Sequence, residues 1–405
     1  MDEETQARLL REIPGAKRAA DGVILEGENG SQFHIFNVRP LSETEGLTQE
    51  EQFFTAFCSK KEIIRLRSLK NPHDYLLRIR AMAIVDSARA VRVMNSRRSK
   101  FEQTNRPWSL TEYYQSHDHF HKSYLSLLPK AAFKKLASVP AGIAPLLEPN
   151  AMCIRSFVGD IVVVSESLEH FYYFMTIGFF GENFDIDFRD RAHALLIAAR
   201  IMNGAEALDF DIDSRGQLPS DTERKIRALV NFQMMFTYGH EYAHYLLDHL
   251  AAPETEQTST SGSGMSNKEV FYSYSHTAEF DADFHSVNNA KAYREKFNGI
   301  ANGGLQALIF ISYLDEIRPL IGLKSAATSE THPKSIDRFW ALHKKLGTKS
   351  PIPTWVLEGW ENAMHQLVEI GAQAPLKAQE DVFTFYGSVY LPGFVKKLNQ
   401  DRRDF

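Results

Sequence analysis

The run Tyr238-Gly239-His240-Glu241-Tyr242-Ala243-His244-Tyr245-Leu246-Leu247 sets two histidines four residues apart within a stretch patterned as one amphipathic helix. Residues at that spacing lie one turn apart on nearly the same face, so His240 and His244 can aim ring nitrogens at one ion. Glu241 is rotated by about 100° from His240 and flanks the ion rather than binding it. A carboxylate in that position suits a general base that takes a proton from a water activated by zinc. Two imidazoles leave such a site incomplete. A catalytic zinc takes three protein ligands and keeps a fourth position for water.

Thirty-five residues beyond His244, in the next predicted helix, stands Glu279-Phe280-Asp281-Ala282-Asp283. Glu279 and Asp283 share a face by the same four-residue rule. We assign Glu279 as the third ligand and Asp283 as the acceptor that orients a ligand imidazole, with the reverse left open by spacing alone. His276 and His285 are rival ligands, and helical rotation carries His285 well away from Glu279. A third piece follows at Thr331-His332-Pro333-Lys334-Ser335-Ile336-Asp337-Arg338. Pro333 suits the first turn of a helix and would place His332 at its mouth. There His332 can donate to a developing oxyanion, while Arg338 can pair with a carboxylate of the site.

The ordered trio His-Glu-x-x-His, Glu-Phe-x-Ala-Asp and Thr-His-Pro-x-x-x-x-Arg resembles the gluzincin zinc metallopeptidases of the heat-shock membrane peptidase and CAAX prenyl protease family. The resemblance covers roughly residues 222–346. It implies His240, His244 and Glu279 as zinc ligands, Glu241 as catalytic base, and His332 and Arg338 as supporting residues. Many members are embedded in membranes, whereas this chain reads as a soluble, divergent relative. Phage-exclusion peptidases of the Lit type are similar in the same His-Glu-x-x-His and downstream acidic pattern.

The elements that must position these groups are mostly helices. Apolar spacing predicts them over about 190–203, 222–250, 275–297, 303–317, 333–345 and 354–371. Residues 74–95 also carry helical spacing, and Leu47-Thr48-Gln49-Glu50-Glu51 looks like a capped start. A hairpin is expected from Gly22–Gly27 and Phe33–Val38, and a strand over Ile161–Val164. Pro140 to Pro149 marks a boundary between a mixed α/β lobe (1–149) of no assigned role and a gluzincin-like domain (150–405). Between the metal-site helices, residues 255–267 are rich in Ser, Thr and Gly and read as a mobile loop, placed to gate the site. His249, five residues past His244, should face elsewhere on the helix. The histidines of His117-Asp118-His119-Phe120-His121 read as a solvated segment, and Tyr238, Tyr242 and Tyr245 as half-buried packing.

Composition narrows the class. A net charge of -5 supplies no positive field for nucleic acid. Two cysteines, Cys58 and Cys153, rule out a disulfide framework. The acidic start lacks a secretory pattern, and no apolar run reaches the ~18–20 residues that span a bilayer. A cytoplasmic location is expected, with oligomeric state open. The fold class expected is α+β, predominantly helical and zincin-like. The function expected is a zinc-dependent endopeptidase acting on a protein or peptide substrate. Two rivals remain: a binding or regulatory protein whose zinc is closed by a fourth protein ligand such as His276, and a zinc hydrolase of a different substrate class.

Overall fold

The structure is a computed structural model, and it describes residues 2–27, 30–36, 44–146, 149–249, 255–258, 270–273, 275–320, 333–373 and 388–393. It is predominantly helical, with two small sheets. Helix α1 (Glu3–Glu12) precedes β1 (Lys17–Arg18), β2 (Gly22–Glu26) and β3 (Gln32–Phe36), which form an antiparallel sheet in that order. The expected hairpin is thus β2–β3. A helical run follows: α2 (Gln49–Phe54), α3 (Lys60–Arg67), α4 (Pro72–Val85), α5 (Ala88–Glu102), α6 (Leu110–His117), α7 (Phe120–Leu125) and α8 (Lys130–Leu136). At the start of α2, Thr48 and Glu51 form the reciprocal cap that the sequence signals. The spacing over 74–95 is two helices rather than one. Asp86 ends α4, and the Ser87 hydroxyl accepts from Ala90 N to start α5.

The second sheet brings together β4 (Ala141–Ala144), β5 (Ala151–Ser156), β6 (Gly159–Ser165), β7 (Thr255–Thr258) and β8 (Val270–Ser273), in the order β4-β6-β5-β8-β7. Among the described residues β4 and β6 run parallel and the other pairs of this sheet antiparallel. Residues 255–258, expected as loop, are therefore strand, because β8 supplies a ladder partner that local composition does not reveal. The rest of that expected loop, 259–267, lies outside the described residues. Segment 140–149 carries β4, and side chains on both sides of it share one core, from Phe57 to Leu391.

That core is organised around α9 (Glu166–Phe180), α10 (Phe188–Met202), α11 (Ser220–Leu246), α12 (His276–Asn288), α13 (Arg294–Leu320), α14 (Ser335–Leu346) and α15 (Thr354–Gln373). Helix α9 is buried nearly all round, as its unbroken aromatic and aliphatic run requires. The expected helix over 275–297 ends instead at Asn288, and the one expected from 303 begins at Arg294. Asn288 and Asn289 compete for their own backbone and favour a stop. Gly299, which falls in the interval left between the two expected helices, sits with Gly303 and Gly304 inside α13, and the three let it approach α11 closely. A Cβ at 303 would stand 2.5 Å from the Phe232 carbonyl carbon. Among the described residues no helix is long and apolar enough to cross a membrane.

Candidate metal centre

Helix α11 presents His240 and His244 from consecutive turns, and α12 packs against it with Glu279 and Asp283 on the facing side. All four side chains are buried, Glu279 completely. His240 Nε2 and His244 Nε2 lie 3.0 Å apart. Glu279 approaches each of them at 3.4 Å, through Oε2 and Oε1 respectively. Neighbouring ligands on a tetrahedral zinc with bonds of about 2.0–2.1 Å are separated by about 3.3 Å, so these three donors have the spacing of one metal site. Together they form a group able to hold an ion. Two imidazole nitrogens and a carboxylate suit zinc and other first-row divalent metals alike.

Charged neighbours hold this group in place. Asp283 Oδ1 accepts from His240 Nδ1 at 2.9 Å, which leaves Nε2 as the nitrogen facing the other donors. Arg338, on α14, grips Asp283 with two bonds, Nε to Oδ2 at 2.8 Å and Nη2 to Oδ1 at 2.7 Å. Its Nη1 also lies 3.2 Å from Glu279 Oε2. Burial opposes charge on every member, yet the compensation is strong. Arg338 and His240 hold the Glu279 carboxyl well below the usual range, and Arg338 also lowers that of Asp283. Burial likewise works against the His240 imidazolium, but Glu279 and Asp283 raise its pKa to about 10. His244 is brought down to about 3 by burial, with the His240 charge adding to it against the pull of Glu279. Without a cation these shifts favour one proton beyond those of two neutral rings, carried by His240.

Glu241 is 6% exposed. Its charge is felt by Arg338, by Tyr172 of α9 and by Cys153 of β5, which places its carboxylate among those elements. His332 lies outside the described residues. Pro333 precedes the first turn of α14 instead of opening it, since Lys334 is the capping residue. His276 is exposed and His285 half-buried. Among the described residues no fourth His, Cys, Asp or Glu joins the group, so the closed structural site is not formed by them.

Three contributors are not evident from the sequence. Asp118, expected in a solvated segment, is 2% exposed. It accepts from Ile143 N and from the Tyr238 hydroxyl, both at 2.8 Å, and so ties the N-terminal half to the metal helix two residues before His240. Tyr238 and Tyr242 are fully buried rather than half-buried, because this face of α11 is covered. Tyr124 wedges between α11 and α12. Its ring lies where a Cβ on Gly239 would stand, 2.6 Å away, and its hydroxyl donates to Ser286 O at 2.8 Å. The only local signal was a glycine directly before His240. The third is His249, whose Nδ1 lies 3.0 Å from His244 Nδ1. No known protein family, curated protein or solved structure matches this chain.

Proposed function

We propose that the chain is a zinc-dependent peptide-bond hydrolase with a gluzincin-type centre, in which His240, His244 and Glu279 hold the ion and Glu241 is the base. One observation carries this reading: two imidazoles and a carboxylate from separate helices converge at ligand spacing, with Glu241 next to the first imidazole in the chain. A zinc ion held there supplies Lewis acidity, which polarises a substrate carbonyl and eases removal of a proton from water.

The chain's own groups do the rest. Glu241 takes the proton of the attacking water as the oxygen–carbon bond forms, then returns it to the leaving nitrogen as the carbon–nitrogen bond breaks. Asp283 keeps His240 in the tautomer that turns Nε2 to the ion. Arg338 neutralises the two buried carboxylates, which would otherwise repel each other. The peptide as substrate is favoured by the ordered motif trio, which resembles peptidases from His240 through Arg338.

The test is the Glu241→Gln variant. Bound zinc, measured by elemental analysis, should equal wild type, while proteins cleaved in cells expressing the wild type remain intact. Cleavage that survives this change removes Glu241 from the role of base.

A further inference from the structure

The two ligand imidazoles are oriented by different chemistry. His240 gives its Nδ1 proton to the Asp283 carboxylate at 2.9 Å. His244 turns Nε2 toward His240 and Glu279, so its Nδ1 is the nitrogen that points away. At 3.0 Å from that atom lies Nδ1 of His249, with the two rings inclined at 65°. On an uninterrupted helix, the fifth residue after His244 would be turned by about 140° and could not reach it. The chain does not continue as a helix. Helix α11 stops at Leu246, and Asp248 takes a left-handed conformation (φ 57°), which folds His249 back against the last turn.

The geometry points to His249 as the positioning residue of His244, a role that rests on the metal-centre reading above. An imidazole that binds a cation through Nε2 carries its proton on Nδ1, and that proton needs an acceptor. His249 Nδ1 is the acceptor, so His249 carries its own proton on Nε2. This partner is neutral. It fixes the tautomer and tilt of His244 without adding negative charge to a pocket that already holds Glu241, Glu279 and Asp283. His249 is half-buried, in keeping with an outer position that orients a ligand and does not touch the ion.

The experiment uses the full chain with cobalt(II) as the probe, because its visible bands report the symmetry of the ligand field. Wild type should bind one cobalt tightly. His249→Leu should weaken binding by about 10- to 100-fold and shift the bands. His249→Asn, whose Oδ1 can accept at the position of Nδ1, should restore both. A His249→Leu protein that matches wild type in affinity and spectrum overturns the assignment, as does an Asn variant no better than Leu. A wild-type chain that takes up no cobalt overturns the metal centre itself, a result distinct from either.

Discussion

Replacing Gly303 by Ala puts a methyl group where α13 meets the backbone of α11. The new Cβ would lie 2.5 Å from the Phe232 carbonyl carbon and 2.7 Å from both the Phe232 oxygen and Gln233 N. These are backbone atoms, so no side chain can swing aside. Ordinary carbon contacts begin near 3.5 Å, so the helices must part by roughly 1 Å. The buried bond from Gln233 Nε2 to Gln306 Oε1, now 2.9 Å, would stretch beyond hydrogen-bond length. Overpacking costs about 1–3 kcal/mol and the lost bond about 1, against a gain of about 1 from removing a helical glycine, for a net loss of about 1–3 kcal/mol. Gly359, in the exposed interior of α15, is the control. Nothing lies within 4 Å of its added Cβ, so Gly359→Ala should gain about 0.5–1 kcal/mol. Denaturant unfolding of both variants reads the two signs. The displaced segment lies two turns before His240, so Gly303→Ala should also bind metal more weakly than Gly359→Ala does. If Gly303→Ala is as stable as wild type, the close approach of α11 and α13 is not a constraint and the reasoning fails.

Asp283→Asn removes the charge that Arg338 grips and turns an amide N–H toward Arg338, so zinc affinity, read by chelator competition, should fall by about 10- to 100-fold. An unchanged affinity would mean that His240 is oriented by something else. The second ring proton that the raised pKa keeps on His240, at Nε2, must leave when a cation binds there. Zinc affinity should therefore rise about tenfold per pH unit between pH 6 and 8, with one proton released per ion in calorimetry across buffers. Two histidines at the ordinary value near 6.5 would instead give a nearly flat dependence above pH 7. In the metal-free chain the raised His240 pKa contributes stability in full below its unfolded value. That contribution is lost as pH rises through about 10, which thermal melts between pH 7 and 10 should show.

Much of the candidate metal centre was legible in the amino-acid order. A four-residue spacing on a helix is a local geometric fact, so His240 with His244, and Glu279 with Asp283, had to share faces wherever those helices lay. Capping chemistry is equally local, and Thr48 with Glu51 starts α2 as the residue types require. The strand over Ile161–Val164 followed from its apolar, β-branched run.

What periodicity could not supply is every relation across distance. The helix expected over 303–317 begins at Arg294 instead, and a single sequence does not show the neighbouring backbone of α11 that the missing side chains of Gly299, Gly303 and Gly304 admit. Asp118 looked solvated because nothing near it in the chain announces Tyr238, 120 residues away, as its partner. His249 seemed turned from the site because a helical wheel assumes that the helix continues, and one left-handed residue at Asp248 undoes that assumption. The chain's residue order alone settled which groups share a helix face. Packing in three dimensions decided that two such faces meet, and which buried partners hold them, because burial makes an uncompensated charge costly only once the surrounding elements have closed over it.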